Sequence, residues 1–184
     1  MLRILALLLA FTTILPAQLP VAKTNELQET YNFADLLNEN LSVSWHTVAV
    51  SPKQKSTLLQ NFKFKKNLPD TLVYGKVSGP SSISYIWLDS APSKQMWFTY
   101  LLGIDKNGAI NRIEILHYPE THGGQISHPG FRKQFYGISN PKKLRFGRKI
   151  QSISGATISS RNLTKAIRDL FYLHTFLKEQ QLLN

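Results

Sequence analysis

The tetrad Asp105-Lys106-Asn107-Gly108 limits what this chain can fold into more than any other stretch. It stands between two runs rich in β-branched and aromatic residues, Met96 to Ile104 and Ala109 to Tyr118. An Asn-Gly pair at such a point supplies the positive φ of a tight hairpin turn. The two runs are therefore expected as antiparallel neighbours at the centre of a sheet. Runs of similar composition at 71–77 and 84–88 precede them, and Leu41 to Val50 alternates in the manner of a strand. Gly79-Pro80-Ser81-Ser82 and Ser90-Ala91-Pro92-Ser93 read as breaks between strands.

Helical signals lie at both ends of this strand-rich middle. A short helix is expected around Asn32 to Asn40. A second runs from Lys53 to Phe62, with Ser51 as its cap and Pro52 at the first helical position. The third is the most regular: Leu163, Ala166, Ile167, Leu170, Leu173, Phe176 and Leu177 recur at helical spacing within Ser159 to Leu182. Phe131 to Tyr136 reads as a short helix or turn, and Asn140 to Lys149 as a basic, irregular connection. The fold class is α+β, a mainly antiparallel sheet flanked by helices.

The beginning of the chain carries a different message. Met1-Leu2-Arg3 supplies one positive charge, and Ile4 to Leu15 is apolar apart from Thr12 and Thr13, with polar sequence resuming by Lys23. That layout is expected of a signal peptide or N-terminal anchor over residues 1–22, which would place the body outside the cytoplasmic membrane. Cysteine is absent, which excludes disulfides, thiolate zinc sites and iron–sulfur clusters. Any redox chemistry would need an organic cofactor. The net charge of +11 is high, with Lys and Arg spread along the chain and concentrated at 63–66 and 142–149. No recognition-helix, zinc-finger or RNA-binding signature accompanies the charge, and nucleic acid is not expected as a partner.

The stretch Ser154-Gly155-Ala156-Thr157-Ile158-Ser159-Ser160-Arg161 stands at the start of the last helix. One reading makes a hydroxyl there the helix N-cap, worth about 1 kcal/mol. In the other, Gly155 and Ala156 let a phosphate or cofactor approach the helix terminus, whose free N–H groups and dipole favour an anion. Both remain open on the residues alone.

Ser-Gly-Ala-Thr followed by Ile-Ser-Ser and a helix resembles the flavinylation motif of the exported FMN-binding domain family. That family includes the periplasmic flavin-bearing subunits of sodium-pumping quinone reductases and of Rnf-type electron transport complexes. Two further elements occur in the family's order: Tyr118-Pro119-Glu120-Thr121-His122-Gly123 and Phe131-Arg132-Lys133-Gln134-Phe135-Tyr136-Gly137. The resemblance covers roughly residues 71 to 175. It implies an FMN-binding domain over 71–184, with residues 23–70 an N-terminal helix and strand extension packed on it.

The resemblance also implies FMN joined through a phosphoester to Thr157 by a separate flavin transferase, with redox partners that are periplasmic or membrane-bound. Cofactor contacts would fall to Ser154, Gly155, Ala156, Glu120, Thr121, Gly123 and Gln134. Glu120 would either bond the ring system or fix its loop. The family motif has an acidic residue three places before the serine, where this chain has Gln151, which keeps the shape but not the charge.

Other chemistries fare less well. His117, Glu120, His122 and His128 lie close in sequence but match no helix-based zinc spacing, and no metal is expected. No Gly-x-Ser-x-Gly elbow or suggestive carboxylate pair points to a hydrolase. The competing reading is an exported basic module, lacking flavinylation, that binds another anionic ligand or a protein.

Overall fold

Residues 21–37, 40–62 and 68–183 are described in the computed structural model. The expected signal segment falls outside them except for Val21 and Ala22, which open helix α1 (Val21–Thr30). Helix α2 (Phe33–Leu37) and strand β1 (Ser42–Ala49) follow, then helix α3 (Pro52–Phe62). Strands β2 (Thr71–Ser78), β3 (Tyr85–Pro92), β4 (Trp97–Ile104) and β5 (Ile110–His117) succeed one another, and the long helix α5 (Thr157–Glu179) closes the chain after the single turn α4 (Pro129–Arg132).

The five strands form one antiparallel sheet in sequence order, β1-β2-β3-β4-β5. The expected hairpin forms, with Leu102 opposite Ile113 and Ile104 opposite Ile110, but it lies at the edge and not at the centre. Strand β5 is the last and β3 the middle one, because β1 and β2 add on the far side of β3. The turn differs in detail from the sequence expectation. Gly108 alone takes a positive φ, +77°, while Asn107 does not. Asp105 explains this, because its Oδ1 accepts the N–H groups of Asn107 at 2.9 Å and Ala109 at 2.8 Å. Those bonds hold a three-residue loop with one left-handed position at its end.

A second correction concerns Ser90-Ala91-Pro92, which continues β3 and does not break it. Ser90 and Ala91 are buried, and Pro92 ends the strand opposite Trp97, where its missing N–H costs no interior ladder bond. The reversal falls one step later, where Ser93 N–H reaches the Met96 carbonyl at 2.8 Å. Helix α3 begins where Ser51 and Pro52 place it. Ser51 Oγ accepts from Gln54 N–H at 3.3 Å and Gln54 Oε1 accepts from Ser51 N–H at 2.8 Å, a reciprocal capping box.

Both faces of the sheet are covered, which is why β4 is buried from Phe98 to Ile104 without alternation. On one face Trp87, Tyr100, Leu102 and Ile113 pack with Phe131 and Phe135 and with the α5 residues Leu163, Ile167, Leu170 and Phe171. On the other, Ile86, Leu88 and Leu101 meet Leu27, Phe33 and Leu37 of α1 and α2. Among the described residues no helix is long and apolar enough to cross a membrane.

Two polar pairs are sealed inside. Tyr100 donates its hydroxyl to Asp89 Oδ2 at 2.8 Å, and burial together with the Asp89 charge pushes the phenol well above its ordinary value. Trp87 Nε1 donates to His174 Nδ1 at 3.1 Å, and burial lowers the imidazole from 6.5 to about 3. The folded chain therefore keeps His174 neutral between pH 6.5 and about 3, where the unfolded chain takes up a proton. Stability is fully present above pH 6.5 and is lost as pH falls through that window. Acidification from pH 6.5 to 4 is expected to cost about 3 kcal/mol through this group. Urea unfolding across pH 4–7 checks it: His174→Gln, which keeps an acceptor for Trp87 but cannot titrate, should flatten the acid limb.

Candidate functional site

The loop after β5, the turn between β3 and β4, and the amino end of α5 converge on one edge of the sheet. They enclose an open cleft of about 330 Å³ lined by Tyr118, Glu120, Gly123, Gly155, Ala156 and Thr157, among others. A neighbouring hollow shares Lys94, Glu120 and His122 with it and adds Met96 and Thr121.

Geometry rules out the helix-cap reading of the hydroxyl-rich stretch. Helix α5 has Ala156 at its N-cap and no side chain caps it. Its first intrahelical bond runs from Ser160 N–H to the Ala156 carbonyl at 2.8 Å, so the N–H groups of Thr157, Ile158 and Ser159 precede the ladder. None of the hydroxyls is used as the cap. Thr157 occupies the first helical position with its side chain exposed, and Ser154 is exposed in the preceding turn. That turn closes through Ala156 N–H to the Ile153 carbonyl at 3.1 Å, with Gly155 at φ +79°. A Cβ on Gly155 would stand 3.1 Å from Gln125 Nε2, so glycine answers both the backbone angle and the space.

Tyr118 binds the pieces together. Its hydroxyl donates to the His122 carbonyl at 2.9 Å and lies 2.9 Å from Ser159 Oγ, which is buried in the first turn of α5. Its ring packs on Phe98 at 5.5 Å. Asn162 Nδ2 adds a second tie, to the Pro92 carbonyl at 2.8 Å. The far end of β3, the loop and the helix terminus are thus fixed to one another.

Glu120 serves its surroundings through one oxygen. Oε1 accepts the Ser93 hydroxyl and the backbone N–H groups of Gln95 at 2.7 Å and Met96 at 2.8 Å. These bonds, the Ser93 hydroxyl foremost, hold the carboxyl below its ordinary range. Of the two roles named for Glu120, the fixing of a loop is the one these contacts perform. Thr121 is exposed, with its hydroxyl 3.0 Å from His122 Nδ1. Gln134 lies behind the site: its Oε1 accepts Gln151 N–H at 2.8 Å and its Nε2 donates to the Gln151 carbonyl at 3.3 Å. It steadies the chain leading into Ser154. The Gln151 side chain donates to the Arg148 carbonyl at 2.7 Å.

The aromatic residues of the second element are core, since Phe131 and Phe135 are buried and meet edge to face at 5.5 Å. His128 Nδ1 accepts Gly130 N–H at the start of α4. Sequence reasoning missed Lys94, Tyr118, His122, Ile158 and Ser159 as cleft residues. Tyr118 opens an element already singled out, and Ile158 and Ser159 stand within the motif. Lys94 had no signal, because it reaches the site through the β3–β4 turn.

An uncapped helix terminus, a free hydroxyl at its first position and a wall of small residues suit a phosphate-bearing cofactor. These features define an anion-accepting type of site at a helix terminus. Residues 95–171 match the family model described as FMN-binding domain. The match makes this part of the chain similar to FMN-binding domains and supports FMN as its cofactor. A search among curated proteins found no match.

Gly123 tests the rigidity of the site. Its φ is +96°, and a Cβ there would fall 2.2 Å from the Tyr118 hydroxyl oxygen. Gly123→Ala should destabilise by on the order of 2 kcal/mol through strain and displacement of that hydroxyl. Tyr118→Phe should cost about 1 kcal/mol. Because the clash is with the oxygen that Phe lacks, the double variant should cost less than the two singles together, as read by denaturant midpoints.

Proposed function

We propose that this protein is an exported electron carrier whose FMN is joined by a phosphoester to Thr157. The observation that carries the reading is the exposed Thr157 hydroxyl at the first position of an uncapped 23-residue helix, facing a cleft walled by glycine and alanine. An attached phosphodiester would sit beside N–H groups that have no intrahelical partner, and the helix dipole stabilises its negative charge. When bound there, FMN would supply the redox chemistry for passing electrons between two partners, while this chain holds and orients it.

Attachment is a phosphoryl transfer. Thr157 Oγ attacks the FMN-side phosphorus of FAD, forming a new O–P bond as the pyrophosphate bond breaks. AMP leaves with the bridging oxygen, and the hydroxyl proton passes to a base of the separate transferase. The chain's own contribution is position: Gly155 and Ala156 keep side chains out of the approach, and Gln134 holds the backbone ahead of Ser154. Glu120 keeps the β3–β4 turn, and with it Lys94, at the mouth of the cleft. Ser154, Gly155, Ala156, Thr121 and Gly123 complete the proposed contacts. Covalency matters for a protein outside the cell, where a dissociated cofactor is lost. The apolar run at Ile4 to Leu15 supports export.

Co-expression with a flavin transferase, followed by denaturation, intact mass and in-gel fluorescence, tests the proposal. The mass should rise by one FMN less one water, on the peptide that holds Thr157. Thr157→Ala should carry no covalent flavin while unfolding at the same denaturant concentration as the parent, and Thr157→Ser should retain part of the label. Covalent flavin persisting in Thr157→Ala would move the attachment elsewhere.

A further inference from the structure

Although Lys and Arg occur along the whole chain, the net positive charge does not. Between Glu120 and Asp169 there is no acidic residue, while ten of the 22 Lys and Arg fall there. The remaining twelve nearly balance all eleven Asp and Glu, so almost the whole net charge of +11 resides in the stretch that contains the flavin attachment motif.

Two of the ten are spoken for. Arg132 pairs with Glu114 and donates to the Ile113 carbonyl, and Arg168 lies 3.6 Å from Asp169. Lys142, Lys143, Arg145, Arg148, Lys149 and Arg161 are exposed, and among the described residues none pairs with a carboxylate. They stand on a firm base. Asn140 caps the turn at 141–143, Ile150 N–H bonds the Arg145 carbonyl, Gly147 N–H bonds the Ile150 carbonyl, and Gln134 grips Gln151. Arg161 of α5 lies over the Phe146 ring at 5.5 Å, joining the platform to the helix that carries Thr157.

Arg161 stands one helical turn after Ile158 on α5, which brings the platform next to an apolar part of the cleft wall. Of the three exposed large apolar side chains among the described residues, Ile158 lines the cleft and Met96 the adjoining hollow. An apolar centre beside a charged margin is the anatomy of a protein-docking surface. A membrane surface is a poorer fit, because the platform's own apolar residues point inward. Leu144 and Ile150 are fully buried and Phe146 is half-buried beneath Arg161, leaving nothing to enter a bilayer.

We propose that the 140–149 platform, with Arg161, is the docking surface for an acidic electron-exchange protein, which it seats against the mouth of the flavin cleft. The proposal rests on the electron-carrier reading, and the experiment separates the two. The full chain is compared with a platform variant, Lys143→Glu/Arg148→Glu/Lys149→Glu, its milder counterpart with three Gln, and a distant variant of equal charge, Lys53→Glu/Lys76→Glu/Lys106→Glu.

Binding of a fluorescent polyglutamate peptide is measured with and without flavin. On flavin-loaded, dithionite-reduced protein, reoxidation by ferricyanide is timed at several salt concentrations. Each ferricyanide takes one electron to become ferrocyanide, so two are consumed per fully reduced flavin. The platform variant should lose polyglutamate binding and slow ferricyanide by about tenfold at low salt, with the Gln variant between. The distant variant should stay within about twofold.

Equal effects of the platform and distant variants would overturn the proposal. So would vesicles of phosphatidylglycerol sedimenting with the parent chain but not with the platform variant while polyglutamate binding is unchanged, which would assign the surface to a membrane. A chain that carries no flavin would sink the carrier reading alone, because the polyglutamate comparison still judges the surface.

Discussion

The seating of α5 on the sheet fixes everything at the cleft. Leu163, Ile167, Leu170 and Phe171 bury one stripe of that helix against Trp87, Tyr100 and Leu102, and each such side chain contributes on the order of 2 kcal/mol by leaving water. A helix held by its middle can leave its amino terminus without a cap, since the loss of about 1 kcal/mol there is small beside the burial. That surplus frees the first N–H groups and the Thr157 hydroxyl for a ligand. In an isolated helix the same terminus would fray.

The remaining precision comes from polar contacts that cross between elements. Tyr118 reaches from the end of β5 to the first turn of α5, Asn162 from α5 to the end of β3, and Glu120 from the loop to the β3–β4 turn. Each links segments that are remote in sequence, and a shift of the helix would break the first two. The cleft is preorganised because its walls share these bonds.

Much of this frame was legible in the residues. Alternation and composition placed the strands within a few positions, the Ser51-Pro52 pair placed α3, and helical spacing placed α5, because in each case the signal is local. Where local signals misled, a neighbour in space had the stronger claim. Pro92 looks like a break but sits at a strand end where its N–H is not needed. Asn107 looks like a left-handed turn residue, yet the Asp105 carboxylate holds the turn so that only Gly108 adopts that angle. At the site, the sequence placed the stretch around Thr157 at the start of the last helix, where it lines the cleft. The work of Lys94 and of Gln134 could not be read there, since it depends on side chains meeting partners across the fold.

Gln151 illustrates how contact and charge can separate at one position. Its backbone N–H and carbonyl are what Gln134 grips, and any residue would offer them equally. The path of the chain into Ser154 therefore does not depend on the side chain at 151. What an acidic residue there would change is the field: it would be the sole carboxylate between Glu120 and Asp169, in a stretch that otherwise carries ten cations. With glutamine in its place the amino end of α5, already the positive pole of the helix, has Glu120 across the cleft as the one carboxylate among the lining residues. Such a positive surround would favour the phosphodiester proposed at Thr157 and the acidic surface proposed to approach it, by the same attraction.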